Sequence, residues 1–480
     1  MNSRPLPVNR RQVLKTGLLA ACAASDAGAQ EAPPLFVEGY TGQVSYAPGE
    51  EVTLCVSCGG PVFSVEVTRL GAKPQQVWSA ADVAGKAYPV PENASSHGCQ
   101  WPVAVTFRIP PEWRSGYYQV VLRTRDQGGG FTHRNARTAE AGCFFILRGG
   151  GAAPRAKILL QLSSNTYNAY NNWGGFSLYA YNGRNGNQGH RVSFERPPAS
   201  QFGNWELPFV EWAERQGFEM DYIANNDLEF HPEELQGRSL VLSVGHDEYW
   251  SAPMRDTLEK FIEAGGNAAF FSGNVCCWQV RSEDKGRALT SWKQNYHSDP
   301  VYAARQGYDL LASLWSHHLI KRPENQLTGV GFLWGGYHRS HGQLMEASGA
   351  FNVHRPDHWL LTGTGLKAGD AFGGKDTIVG YECDGCELEF RDGLPFPTHR
   401  DGTPESFEIV CTAPAQWHPD DCQWYDQWEN GRKGHAVLGV HQRGKGTVFT
   451  CGSTDWSHGL RGGDPAVDRI TRNLLEKLAV

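Results

Sequence analysis

Three consecutive glycines, Gly149-Gly150-Gly151, mark the point where the periodicity of this chain changes, and that change constrains the fold more than any other feature. Before it, apolar and polar residues alternate in Glu51-Val-Thr-Leu-Cys-Val-Ser57, in Phe63-Ser-Val-Glu-Val-Thr68 and from Tyr117 to Leu122. Successive side chains of a strand point to opposite faces, so alternation predicts strands with one buried face. Turn formers such as Pro48-Gly49 and Ser115-Gly116 separate these runs. Short strands at this spacing predict an immunoglobulin-like β-sandwich over residues 35–148.

After the glycines and Pro154, apolar runs alternate with helical periods. Lys157-Ile-Leu-Leu-Gln-Leu162 and Ser239-Leu-Val-Leu-Ser-Val244 read as strands buried on both faces, and Leu207 to Gln216 reads as a helix. Ser251 stands where a helix N-cap is expected, ahead of Met254, Leu258, Phe261 and Ile262 at helical spacing. Gly265-Gly266 ends that helix and Ala268-Ala-Phe-Phe271 begins the next strand. This order predicts a doubly wound, largely parallel, glutamine-amidotransferase-like α/β domain over residues 155–480. The stretch from Cys276 to Gly374 reads as an irregular, Trp-rich excursion over the active face, and Gly446–Thr450 with a helix from Pro465 to Leu478 closes the domain.

The first 29 residues read as an address. Asn9-Arg10-Arg11-Gln12-Val13-Leu14-Lys15 resembles a twin-arginine export signature, an apolar run follows to Ala24, and Ala27-Gly28-Ala29 suits cleavage before Gln30. Leu19-Ala20-Ala21-Cys22 also matches a lipobox, which would make Cys22 a lipid anchor. The mature protein is expected in the periplasm or outside the cell, with no membrane span, since no later run reaches the roughly 18 apolar residues a span needs. A net charge of −7 argues against nucleic acid as partner. Cys55-x-x-Cys58 and Cys383-x-x-Cys386 have zinc-ribbon spacing but fall in different predicted domains, so local disulfides or half-buried thiols fit them better.

In an open α/β sheet, ligands gather beyond the carboxyl ends of the strands. Three polar and aromatic runs fall there: Asn165 to Gly175, Gly245-His246-Asp247-Glu248-Tyr249-Trp250, and Ser272-Gly273-Asn274. His246 and Glu248, two apart, share a side in extended backbone and can share a metal or act as a base and its orienter. Alternatively, Glu248 caps the helix that begins at Ser251, and the tyrosine-rich run is core packing.

Asn165-Thr-Tyr-Asn-Ala-Tyr170, Gly174-Gly-Phe-Ser-Leu-Tyr179, Ser243-Val-Gly-His-Asp-Glu-Tyr-Trp-Ser251, Phe271-Ser-Gly-Asn274, Gly363-Thr-Gly-Leu366 and Gly380-Tyr-Glu-Cys-Asp-Gly385 together resemble the C-terminal catalytic region of the N,N-dimethylformamidase large (beta) subunit family. The resemblance keeps the motif order over roughly residues 110–480. It implies a hydrolase of small linear amides whose mononuclear iron, Fe3+, is held by two tyrosines and one glutamate. Motif by motif, Glu248 takes the place of the glutamate and Tyr167 that of one tyrosine. The other falls on Tyr118, in Trp113-Arg-Ser-Gly-Tyr-Tyr118, with Tyr117 as its rival pointing the opposite way. His246, Asn274 and Glu382 match catalytic or adjoining positions. A small partner subunit or a homo-oligomer is also implied. Two phenolates and a carboxylate are hard oxygen donors suited to a ferric ion.

Other classes fit less well. Cys276-Cys277 lacks the flanking glycines of an amidotransferase nucleophile turn, and no Gly-x-Ser-x-Gly elbow follows a predicted strand. The alternative from a different class is a non-catalytic exported protein that uses the Trp-rich excursion to bind a carbohydrate or other ligand.

Overall fold

The computed structural model describes residues 34–126, 137–340, 343–345, 349–422 and 432–480. The predicted export address, with Cys22 and the cleavage point before Gln30, lies outside the described residues. Among them, no helix is long and apolar enough to cross a membrane.

The alternating segments form two sheets. One has three strands, with Glu51–Cys58 between Val37–Thr41 and Val103–Arg108, and the other has five, with Gly116–Asp126 paired to Val62–Leu70 and Arg137–Leu147. Inward residues of both sheets, among them Val52, Leu54, Val65, Tyr118, Val120 and Phe145, meet in one core. Strand alternation then turns Tyr117, Phe144 and Ile146 outward, but not to water. They enter the core of the α/β part, where Tyr117 stacks on Phe202 with ring centroids 4.0 Å apart. Polar contacts cross the same seam: Arg69 pairs with Glu214 at 2.7 Å, and the Tyr222 amide donates to the Ser115 hydroxyl at 2.8 Å. Residues 35–480 accordingly cluster as one compact unit.

The apolar runs predicted as buried strands lie side by side in parallel. Strands Met220–Ala224, Ile158–Leu162, Leu240–His246, Asn267–Gly273 and Gly446–Thr450 neighbour one another in that order. The Ser251 hydroxyl accepts from the Met254 amide at 3.3 Å and caps the helix Ala252–Ala264, whose C-cap is Gly265. The doubly wound parallel sheet is only half of the arrangement. The same eleven-stranded sheet continues antiparallel through Lys433–Arg443, Glu408–Gln416, Gly331–Tyr337 and Glu382–Gly385, so it is mixed. The Trp-rich stretch is also less irregular than its composition suggests. Strands Trp278–Glu283 and Ala288–Thr290 join a small four-stranded sheet with Arg191–Ser193 and Tyr249–Ser251.

Ten cysteines of the described residues, including Cys55, Cys58, Cys383 and Cys386, are buried free thiols. Of the two expectations, local disulfides or half-buried thiols, the structure carries thiols, and buries them fully: Cys55 and Cys58 on the strand Glu51–Cys58, Cys383 and Cys386 in two cores of the α/β part.

Candidate functional site

The site is built at the exits of two parallel strands. Leu240–His246 ends at a turn in which Gly245 has φ +83°, and a Cβ there would overlap the Trp205 side chain. Glycine therefore permits both the conformation and the close approach. Asp247, which follows His246, is wholly buried and anchors the turn by accepting from Gln161 Nε2 at 2.6 Å, Ser243 Oγ at 2.8 Å and Asn225 Nδ2 at 2.9 Å. Opposite, the Glu248 amide donates to Thr166 Oγ1 at 2.9 Å, tying the turn to the helix Ser164–Tyr170. His246 and Glu248 are thus held by backbone whose own polar groups are satisfied.

Around Glu248 the partners are aromatic. Oε1 accepts from Trp278 Nε1 at 2.7 Å and lies 2.8 Å from the Tyr179 hydroxyl. That hydroxyl is 2.7 Å from both the Tyr170 and the Tyr249 hydroxyls. Lys293 closes the chain, with Nζ donating to Tyr249 at 3.0 Å and standing 3.2 Å from the centroid of the Tyr179 ring. On the other side, His246 Nε2 is 3.3 Å from Glu248 Oε2 and 2.7 Å from Glu382 Oε2. The shorter approach is an ion-pair contact off the axis of an aligned hydrogen bond, because neither ring nitrogen has an aligned partner among the described residues. Asn274, 2 % exposed, stands beside Glu382 and draws its carboxyl down, while its own Oδ1 has no partner among the described residues.

Burial and charge act against each other here. Burial opposes charge on His246, yet Glu382 and Glu248 together lift its imidazolium to about 10. Burial would raise Glu248, but His246 and Lys293 hold its carboxyl below the ordinary value. Glu382 goes the other way, raised by burial despite the pull of His246. Burial draws the Lys293 ammonium down to about 7, against the attraction of Glu248. Burial first, and Glu248 second, push the Tyr170 and Tyr179 phenols well above their usual range. Two carboxylates within reach of one imidazole are thus driven apart, a common arrangement where protons are handled.

Of the residues expected from sequence, the structure brings His246, Glu248, Glu382 and Asn274 together. It does not bring Tyr118 or Tyr167 to Glu248. Tyr118 points into the sandwich core, where its hydroxyl donates to the Arg114 carbonyl at 2.6 Å. Its rival Tyr117 points into the α/β core and meets Ser200 Oγ at 3.0 Å. Tyr167 lies on the helix Ser164–Tyr170, but its hydroxyl donates to the buried Glu206 carboxylate. Tyr170, three residues on and so displaced around the helix, is the tyrosine that faces the site, with its ring 5.5 Å from that of His246. Tyr170 and Tyr179 end two of the runs singled out above, so their signal was present but shared with Tyr167. Trp278 and Lys293 carried no signal of their own.

Among the described residues, no group of three or more His, Cys, Asp or Glu is arranged to hold a metal ion. A metal bound beside Glu248 would therefore have to draw on phenol oxygens.

The chain is thus an α/β protein with a fused β-sandwich and a buried imidazole between two carboxylates at its strand exits. Residues 64–469 match the family model described as N,N-dimethylformamidase beta subunit-like, C-terminal, and the chain belongs to that family. It is 25 % identical to the N,N-dimethylformamidase beta subunit of Alcaligenes sp., over 79 % of this chain and 54 % of that protein. To the beta subunit from Paracoccus aminophilus it is 23 % identical, over 78 % and 54 %. The chain thus spans about half the length of the curated relatives it matches. Among solved structures, a ThuA-like protein from Parabacteroides merdae is similar over 68 % of this chain and 92 % of its own, at 10 % identity and a TM-score of 0.27. The sporulation control protein of Bacillus subtilis is similar over 24 % and 50 %, at 18 % identity and a TM-score of 0.17.

Proposed function

We propose that this protein hydrolyses the C–N bond of small linear amides at the His246–Glu248–Glu382 cluster, with one ferric ion held by Tyr170, Tyr179 and Glu248. The observation that carries the reading is the convergence on Glu248 of the Tyr179 hydroxyl at 2.8 Å, itself 2.7 Å from the Tyr170 hydroxyl. Two phenols and a carboxylate are the hard oxygen donors that suit Fe3+, and a trivalent cation offsets what burial and Glu248 do to both phenols. When bound, such a metal polarises the substrate carbonyl and acidifies a water molecule.

The protein's own groups supply the rest. Trp278 Nε1 fixes the orientation of Glu248 at 2.7 Å. His246, between the two carboxylates, keeps Glu382 within proton-transfer reach of the space beside Glu248. Glu382 takes a proton from water as its oxygen adds to the carbonyl carbon, and passes that proton to the departing amine nitrogen. The Asn274 amide holds Glu382 in place and leaves Oδ1 to accept from the N–H of a substrate. The products are a carboxylic acid and an amine.

Export through the twin-arginine signature at Arg10-Arg11 belongs to the same proposal, as does assembly with a partner subunit, for which the name beta subunit of the relatives is the support. The N-terminal mass of protein from the native host separates cleavage before Gln30 from lipidation at Cys22. The function itself is tested by metal analysis, visible absorption and amine release from a panel of N-alkyl amides. Stoichiometric iron, a broad tyrosinate-to-iron band and amine release are expected. A colourless zinc protein removes the ferric assignment, and iron binding without amine release from any member of the panel removes the hydrolase.

A further inference from the structure

The strand Glu382–Gly385 does more than deliver Glu382. Two residues on, and therefore on the same side of the strand, Asp384 is wholly buried. Its Oδ1 accepts from the Asn274 amide at 2.8 Å and its Oδ2 from the Val275 amide at 3.0 Å. One carboxylate thus grips two consecutive N–H groups just where the chain leaves the strand Asn267–Gly273. The gripped backbone is unusual: Asn274 has φ +52° and Cys276 φ +54°, the left-handed region that side chains other than glycine seldom occupy. Nothing in a strand exit alone would hold two such residues: the Asp384 carboxylate faces the amide of the first and of the residue between them, and the Cys276 amide donates to the Asp247 carbonyl at 2.9 Å.

We infer that Asp384 is a positioning residue, which fixes the left-handed turn at Asn274 so that the Asn274 side chain holds Glu382 against His246. The inference rests on the amide-hydrolase reading for its meaning, although the geometry stands apart from it. Asn274 stands beside Glu382, and Glu382 lies 2.7 Å from His246 Nε2. The same short strand therefore contributes at both ends of one circuit, with Glu382 as the held group and Asp384 as the hold on its holder. The strand is itself tied down, since the Asp384 amide donates to the Gly452 carbonyl at 3.0 Å and the Thr454 amide to the Glu382 carbonyl at 3.1 Å. Gly273 makes the close approach feasible, for a Cβ there would run into the Glu382 carbonyl and the Thr454 amide. The eleven-stranded sheet thus curls far enough that its last strand backs the exit of its parallel half.

Asp384→Asn tests this directly, because it keeps one acceptor and turns the other into a donor facing a donor. The full-length protein carrying Asp384→Asn, and separately the smaller Asp384→Ser, is assayed for kcat and KM by amine release, and its crystal structure is determined. The expected result is a turn at 274–275 that relaxes from positive φ, an Asn274 amide no longer on Glu382, and kcat lower by about 100-fold with KM little changed. In an Asn274→Ala background the same substitution should cost almost nothing further, because residues acting through one another are not additive. An unmoved Asn274, or a full additional loss in that background, overturns the inference. So does failure of both variants to fold, which would give Asp384 a role in the fold at large. If the wild type releases no amine, the amide-hydrolase reading fails by itself, and the crystal structure of the variant still decides the positioning role.

Discussion

Replacing Tyr179 by Phe removes one oxygen from the centre of the buried chain and leaves the ring, its stacking and its area in place. In the structure that oxygen meets Glu248 at 2.8 and 3.0 Å, Tyr170 at 2.7 Å and Tyr249 at 2.7 Å. Glu248 keeps the Trp278 indole at 2.7 Å and His246 at 3.3 Å, so its charge is not stranded. The loss to stability is then that of one hydrogen bond to a charged acceptor, about 2 kcal/mol, and of the contacts to the Tyr170 and Tyr249 hydroxyls, about 1 kcal/mol each. In the proposed site Tyr179 is also a metal donor, and its loss should lower iron occupancy and cut activity by at least about 100-fold. Tyr167→Phe is the matched control. It removes the hydroxyl that donates to Glu206, again for about 2 kcal/mol, but touches nothing at Glu248. Urea denaturation, iron content and the visible spectrum of the two variants should show a stability loss in both, larger for Tyr179→Phe, and opposite metal behaviour. If Tyr179→Phe keeps full iron and an unchanged band while Tyr167→Phe loses both, the placement of the metal between Tyr170 and Tyr179 is refuted.

Tyr118→Phe should cost about 1 kcal/mol, the contact to the Arg114 carbonyl, and leave iron and activity untouched, as measured by denaturation and amine release. Gly245→Ala should lose about 3 kcal/mol or more, because a side chain is forced into both a φ of +83° and the Trp205 indole; its denaturation midpoint reads this. His441 is 1 % exposed, and burial first, then Arg443, lower it from 6.5 to about 3. Between those values the unfolded chain binds a proton that the folded chain refuses, so acidification destabilises, by up to about 1.4 kcal/mol per pH unit from this group. His441→Leu should flatten the pH dependence of unfolding between about pH 6 and 4, and an unchanged slope would remove His441 as its source.

The legible part of the fold was the part whose residues do one thing. Ile158–Leu162, Leu240–His246 and Asn267–Gly273 are buried on both faces and read as apolar runs, and Ser251 announces its helix by its cap. The antiparallel half was hidden because its strands break their own pattern. Glu408–Gln416 carries Pro414, and Gly331–Tyr337 is interrupted by Gly335 and Gly336 with a register shift against its neighbour. In the site, His246, Glu248, Glu382 and Asn274 were legible from motif order. The tyrosines were not, for reasons of angle: Tyr167 and Tyr170 share a helical turn, and only the three-dimensional direction of each ring separates the partner of Glu206 from the partner of Tyr179. Tyr117 and Tyr118 posed the same question on a strand. Alternation says that they face opposite ways, but here both ways lead into a core.

Rings shared between two cores decide how the protein comes apart. The sandwich lends Tyr117, Phe144 and Ile146 to the core of its neighbour, and Arg69, Ser115 and Arg148 to buried polar contacts with Glu214, Tyr222 and Asp227. Cut at Gly149-Gly150-Gly151, each fragment would present an apolar, half-wired surface to water. The glycines that look like a hinge between interchangeable modules therefore join parts with no separate existence. Thermal or chemical unfolding should register as one transition, with the sandwich and the α/β half melting together.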